Sequence, residues 1–502
     1  MSTARETFIR LDTARSGVLV TARTCAALTL PSVLPPYGYM GNSDTLPTPW
    51  QSTGARGTLN LAAKLLQTLF PTSQNFFRLS FDDASLKSKV PPADVATYNK
   101  QRAAIEQNLV HAEDSVQRLA SDSAVRQGLF EMLVHLIITG NSLVRLHPDA
   151  HIQLYRLDSF VVERAGDGKV TQVITKEAVV YDSLSPENKA LLASKKHKDN
   201  DILDLYTLVS FSSKGRVEVT QEIDDIEVLS TSYSEATSPY IVLRWTKIAS
   251  EDYGRGLIES YLGDLKVLES LSKSMTEAAV QAARVIWTNP QESLIDTADL
   301  VAARNGDVLE GRGDAIKAVQ LQKQSDFSIV MQYRNIIETN LKRDFMMFES
   351  VTRNAERVTA EEIIRMSQEL EVTFGGIYSL LAAELQKPLA TKLVHILLKK
   401  GVLPKSIDEM LRANIMHIQV ITGLEALGRG SDYQKLLMFL QSAVAVPNSA
   451  AYINAPEVLR RTAVAIGVKE GVVLTDEEIQ EQQQQQAMLL ALTNNNNITG
   501  GM

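Results

Sequence analysis

The sequence predicts an α+β protein that is mainly helical, on three observations. From about Gln153 to Trp245 the chain is rich in β-prone residues, and Gly166-Asp167-Gly168 and Lys214-Gly215 punctuate it like the turns of a small antiparallel sheet. After Tyr253 a long apolar stripe at helical spacing takes in Ile258, Leu262, Leu265, Leu268, Met275, Ala279, Ala282 and Ile286. A second stripe runs through Phe327, Val330, Tyr333, Ile337, Leu341, Phe345 and Phe348, and shorter mixed chain with Gly306, Gly311 and Gly313 separates the two. Two long helices around a compact insert form a hairpin stalk with a small module at its tip.

The remaining elements follow in order. Residues Glu6 to Ala27 suit a helix, and the Pro, Gly, Asn and Ser of "LPSVLPPYGYMGNSDTLPTPW" impose irregular chain up to Trp50. "ARGTLNLAAKLLQTLFP" is an amphipathic helix with Leu59, Ala62, Ala63, Leu66 and Leu69 on one face and Pro71 as its stop. Further helices are expected from Pro92 to Leu119 and from Ala124 to Gly140. Thr359 followed by Glu362 fits a capping box, which starts a helix near Ala360 and leaves 351–358 as the loop before it. That helix runs toward Leu398, with Gly375-Gly376 a predicted kink because glycine weakens a helix interior. The rest is mostly helical, and the glutamine- and asparagine-rich end from about 481 is low-complexity chain.

Composition narrows the function. The chain has 502 residues, 44% hydrophobic and 22% charged, which supplies material for roughly two to four domains. Its single cysteine, Cys25, permits no internal disulfide, and MSTARETFIR lacks the apolar core of a secretory signal, so an intracellular protein is expected. The most apolar run, from Phe130, contains a glutamate, a histidine and an asparagine and is too short to span a bilayer, so no membrane contact is expected. The formal charge of −8 opposes the basic footprint of a tight nucleic-acid binder, and any contact with DNA should be local or sliding.

Chemistry is scarce. Histidines 111, 135, 147, 151, 197, 395 and 417 include no HExxH pair, and Pro148 keeps His147 and His151 from sharing a helical face. "GLEALGRG", Gly423 to Gly430, has Arg429 and Gly430 where a phosphate loop needs Lys and Ser or Thr, so nucleotide hydrolysis has no seat. The pairs Asp82-Asp83, Asp224-Asp225 and Glu361-Glu362 read as solvated carboxylates. No metal, no cofactor and no enzymatic activity are expected.

Several stretches, in order, resemble the portal or head-to-tail connector proteins of short-tailed, podovirus-type bacteriophages. They are "PTPWQSTGARGTLNLAAKLLQTLFP", "LYRLDSFVVERAGDGKVTQVIT", "YGRGLIESYLGDLKVLESL", "ERVTAEEI", "ELEVTFGGIYSLLAAELQKPL" and "TGLEALGRG", and the resemblance spans about residues 6 to 480. It implies a portal fold that assembles into a ring, usually of about twelve copies, around a channel for double-stranded DNA. On that plan residues 1–252 are the wing, 253–288 the first stem helix, 289–325 the clip, 326–350 the second stem helix and 351–359 the tunnel loop. Residues 360–400 are then a long kinked wing helix, 401–480 the crown and C-terminal helices, and 481–502 a low-complexity tail.

The resemblance also places function. The tunnel-loop residues Arg353, Asn354, Glu356, Arg357 and Thr359 would face the DNA channel, with Arg334, Lys342 and Arg343 as channel-facing stem candidates. Asn305, Asp307, Arg312 and Asp314 would form the clip surface for partners. From Asp326 to Thr359 five basic residues balance five acidic ones, so that segment is neutral. Arg353 and Arg357 either touch phosphates transiently, with Glu356 limiting the grip, or pair with neighbouring subunits. The implied partners are further copies of this chain, the packaging motor (terminase), the tail adaptor, the major capsid and scaffolding proteins, internal core proteins and the passing DNA. The implied location is the virion, at the capsid vertex where head and tail join, and the bacterial host cytoplasm during assembly. A helical scaffold or assembly protein without a DNA channel is the alternative.

Overall fold

The structure is a computed structural model that describes residues 3–72, 75–81, 95–212, 215–282, 286–288, 297–302, 304, 317–319, 324–347, 360–413, 415–420 and 438–443, with single positions 453, 458, 459 and 462. The chain divides into a unit Met1–Thr422 and a second unit Gly423–Met502, in which 438–443 is helical.

The expected N-terminal helix is two, α1 (Ala4–Ala14) and α2 (Ser16–Ala27), and α1 opens on a capping box between Thr3 and Glu6. The break at Arg15 has a physical reason: its guanidinium is buried and donates to Leu157 O at 2.5 Å and to the Phe160 carbonyl, while Asp12 accepts from it at 2.7 Å. After the Pro- and Gly-rich stretch comes α3 (Thr53–Leu69), which buries Leu61, Ala62, Leu65, Leu66 and Leu69. Leu59, expected on that face, is 39% exposed. The buried stripe is centred on the Leu61, Leu65 and Leu69 row, and each of these leucines contributes roughly 1.5–3 kcal/mol by leaving water.

Strand β1 (Phe77–Phe81) is followed by α4 (Val95–Ala120) and α5 (Ser123–Thr139). Gly140 ends α5 at φ +76°, and a Cβ there would sit 2.4 Å from the Gly256 nitrogen, so only glycine fits. Strands β2 (Asn141–Leu146) and β3 (Ile152–Tyr155) pair antiparallel, and His147 and His151 face each other at 5.8 Å in the turn between them.

The β-prone region forms β4 (Phe160–Arg164), β5 (Val170–Val180), a short helix α6 (Pro186–Leu191), β6 (Ile202–Phe211), β7 (Arg216–Ile223) and β8 (Ile226–Ser234). These five strands make one antiparallel sheet in sequence order, and both predicted turns connect neighbouring strands. Helix α1 packs Ala4, Phe8 and Leu11 on Val161, Ile174 and Tyr206 of that sheet. Strand β9 (Tyr240–Arg244) returns to pair with β2.

Next come a single turn α7 (Leu257–Ser260) and α8 (Leu262–Ala282), shorter than the expected 253–288. Strand β10 (Ile286–Thr288), helix α9 (Thr297–Ala302) and strand β11 (Lys317–Val319) follow, with β10 and β11 paired antiparallel. Then come α10 (Gln324–Asp344), α11 (Ala360–Leu381), a π-type segment Ala382–Gln386, α12 (Lys387–Lys399) and α13 (Lys405–Arg412). Strand β12 (Met416–Val420) pairs with β1. The main core joins α2 to α5, β2, β9, α8, α10, α11 and α12. Cys25 lies in it with its thiol pushed up to about 12 by burial, so it is a small hydrophobe and no nucleophile.

Candidate functional site at the foot of the helical hairpin

Helices α8 and α10 pack side by side, and two contacts set their relative direction. Tyr261 and Phe345 meet edge to face at 5.5 Å, and the Arg334 Nε donates to Ser272 Oγ at 3.3 Å. As one partner number rises the other falls, so the helices are antiparallel. Leu265, Leu268, Ile337 and Leu341 fill the seam. Tyr333, expected in the apolar stripe of α10, is instead 53% exposed alongside Ile329 and Ile336. The stripe expected from the sequence stepped from Val330 to Tyr333, whereas the face that meets α8 runs through Arg334, Ile337 and Leu341.

The three cations expected on the stem, Arg334, Lys342 and Arg343, fall on different faces of α10. Arg334, Glu338 and Lys342 are successive i, i+4 neighbours, and Glu338 accepts from Arg334 Nη1 at 3.1 Å and from Lys342 Nζ at 2.9 Å. Arg334 also leans on α8 and is half-buried. Arg343, one residue beyond Lys342, is turned about 100° around the helix and is exposed, 3.7 Å from Asp344. The strip therefore carries two cations around one carboxylate and keeps a net charge of +1.

Where α10 ends, the geometry is tight. Met347 N donates to Lys342 O at 2.7 Å and Met346 N to Arg343 O at 2.9 Å, the bond pair of a Schellman cap. That cap needs a left-handed residue, and here it is Met346 at φ +54° where glycine is usual, a strain of about 1–2 kcal/mol. The surroundings hold it. Met346 is buried, and Phe345 is fully buried against Gly57 of α3, where a Cβ would come within 2.4 Å of its ring. From the same helix, Asn60 Nδ2 donates to Phe345 O and Met346 O, both at 3.1 Å, and Lys64 Nζ donates to Met346 O at 2.6 Å. Burial lowers the Lys64 pKa and the Glu369 carboxylate opposes that shift.

On the other side of residues 348–359, α11 kinks at Phe374 (φ −126°, ψ 26°), immediately before the predicted Gly375-Gly376 pair. Beyond the kink the chain is anchored. The Phe374 ring meets Trp245 at 5.9 Å, Glu384 accepts from Arg244 Nη2 at 3.1 Å, and Gln386 Nε2 donates to Leu69 O at 2.5 Å.

Arg353, Asn354, Glu356, Arg357 and Thr359 lie outside the described residues, as do Asn305, Asp307, Arg312 and Asp314, and so does the capping box expected at Thr359. Gly57, Asn60, Lys64 and Met346 escaped the sequence reading. A lysine and an asparagine one turn apart beside the apolar stripe of α3 were the available signal. Among the described residues no cluster of His, Cys, Asp and Glu could hold a metal, and no helix is long and apolar enough to cross a membrane.

Helices α8 and α10 thus form an antiparallel hairpin whose end is clamped by α3. The chain belongs to the bacteriophage head to tail connecting protein family, whose model matches residues 1–474. It is 34% identical to the portal protein of Enterobacteria phage T3 over 489 residues, 95% of this chain and 89% of that protein. With the portal protein of Escherichia phage T7 the identity is 33% over 490 residues, again 95% and 89%. A chain in the neck of an empty GTA particle aligns at a TM-score of 0.39 and 12% identity, covering 85% of this chain and 92% of that one.

Proposed function

We propose that this chain is the portal subunit of a short-tailed phage, a structural protein and no enzyme, through which the genome is packaged and later ejected and to which the tail is attached. The observation that carries the reading is the family match along residues 1–474, together with portal relatives matched over 95% of the chain. On this reading copies of the chain, on the order of twelve, close into a ring at one capsid vertex. The hairpin α8–α10 is the stem, and 289–325 is the clip, presenting Asn305, Asp307, Arg312 and Asp314 to the packaging motor and then to the tail adaptor. Residues 351–359 are the tunnel loop, and Arg353 and Arg357 touch phosphates as they pass, together with Arg343 and Lys342 of the stem. Capsid, scaffolding and internal core proteins contact the wing and crown.

The charge supports sliding. Counterion release makes each firm phosphate contact costly to break, so a pore that moves DNA gains from few and neutralised cations. Glu338 between Arg334 and Lys342 offsets one of their two positive charges. Native mass spectrometry with electron microscopy of one purified sample tests the assignment. Rings of about twelve subunits with an open axial hole are expected; a protein that stays monomeric even with scaffolding protein added would refute it.

A further inference from the structure

Tyr333 and Ile336 of α10 are 53% and 58% exposed, and Ile329, at 65%, continues their row one turn earlier. Tyr333 and Ile336 each precede by one residue a position on the seam, Arg334 and Ile337, so the row is turned about 100° from the seam and lies outside the reach of α8 of its own chain. Three large apolar side chains in a row on solvent mark an interaction face, and they offer nothing to a phosphate.

Helix α8 carries a complementary face. Ser270, Ser274 and Ala278 follow one another at intervals of four, a groove of small residues in which both serines are exposed and Ala278 is half-buried. Ser274 comes two residues after Ser272, the partner of Arg334, and so points about 160° away from that seam contact. The heights of the two rows agree. Tyr261 lies level with Phe345 and Ser272 with Arg334, the same step of eleven residues along each helix. On that ladder Ile336, Tyr333 and Ile329 stand level with Ser270, Ser274 and Ala278 to within one residue, about 1.5 Å.

We propose that Ile329, Tyr333 and Ile336 of α10 seat in the Ser270, Ser274 and Ala278 groove on α8 of a second copy of this chain. Large side chains in a row of small ones pack as a ridge in a groove. The two rows are different surfaces of one hairpin, which makes the contact heterologous, the kind that passes from copy to copy and closes into a ring. Rotation about an axis along the hairpin leaves every height unchanged, so the register within one chain is also the register between copies. The inference rests on the reading of the chain as a ring-forming portal subunit and names the partner face of its stem.

Disulfide trapping in the full-length protein tests the register, because the single native cysteine, Cys25, is 1% exposed and shielded from an oxidant. Ile336→Cys combined with Ser270→Cys in one chain should oxidise to a ladder of covalent oligomers. Ile336→Cys with Ala278→Cys should trap at least about tenfold more slowly, since its partners differ in height by eight residues, about 12 Å, against the roughly 7 Å between Cα atoms that a disulfide spans. Tyr333→Glu changes an exposed side chain and should leave the subunit folded, yet raise the concentration needed for assembly roughly tenfold or more in native mass spectrometry, because a carboxylate would be buried unpaired. Equal trapping of the two cysteine pairs, products that stop at dimers on full oxidation, or rings that form unchanged in Tyr333→Glu would overturn the proposal and leave the portal reading standing. An unsubstituted chain that forms no rings even with scaffolding protein would sink the portal reading, and this interface with it.

Discussion

Replacing Gly57 by alanine sets two effects of known size against each other. Alanine in a helix interior is favoured over glycine by about 1 kcal/mol. The added Cβ, however, would lie 2.4 Å from Phe345 Cδ2, 2.5 Å from Cγ and 2.9 Å from Cβ. Phe345 is fully buried and held edge to face by Tyr261, so the ring has nowhere to swing. Overpacking of this kind costs roughly 1–3 kcal/mol, and contacts this short belong at the upper end, so Gly57→Ala should destabilise by about 1–2 kcal/mol. In a Phe345→Ala background, itself about 3–5 kcal/mol less stable, the two ring contacts are gone and only the 2.9 Å approach to the Cβ of residue 345 remains, so the same change should be close to neutral. The double-mutant cycle should show a coupling of about 1–2 kcal/mol. The assay is urea unfolding of the full chain at one fixed protein concentration, because assembly shifts apparent stability. Additive effects, or stabilisation by Gly57→Ala alone, would refute the claim that Gly57 exists to seat Phe345.

Burial, and after it the nearby Arg156, lowers the His135 pKa to about 4. Below about 6.5 the unfolded chain takes up a proton that the folded chain refuses until about 4, so stability should fall as pH drops across that window, by about 2–3 kcal/mol at pH 4.5. His135→Gln should flatten that slope in denaturation midpoints at pH 7 and 4.5, and an unchanged slope would clear His135 of the role. Replacing Arg353 and Arg357 together by alanine should leave rings intact and reduce genome retention in assembled particles; unchanged packaged length and retention would favour salt bridges to neighbouring subunits as their purpose.

Local patterns account for what was legible. The predicted turns at Gly166-Asp167-Gly168 and before Arg216 connect strands as their chemistry requires, each closing on a left-handed glycine, Gly168 at φ +87° and Gly215 at φ +73°, a signal encoded within a few residues. The kink before Gly375-Gly376 likewise follows from local helix weakness. The exposed Tyr333 was misassigned because a 3.6-residue period tolerates a shift of one position, and only the neighbour on the other side decides which row is buried. The break between α1 and α2 was invisible because what stops the helix is a guanidinium bonding to carbonyls 142 and 145 positions away.

By itself, then, the sequence determined the α+β class, the hairpin of two long helices with an insert between them, the balanced charge along the second helix and, through long matching blocks, the connector family. Those are properties of periodicity, turn chemistry and composition, which act over short stretches of chain. Tertiary structure alone decided that Arg334 leans on α8 while Arg343 faces solvent. It also brought Gly57, Asn60 and Lys64 to the end of a helix nearly three hundred residues later. A left-handed methionine and a buried ammonium are unfavourable taken singly, and they persist because packing from distant segments holds them in place.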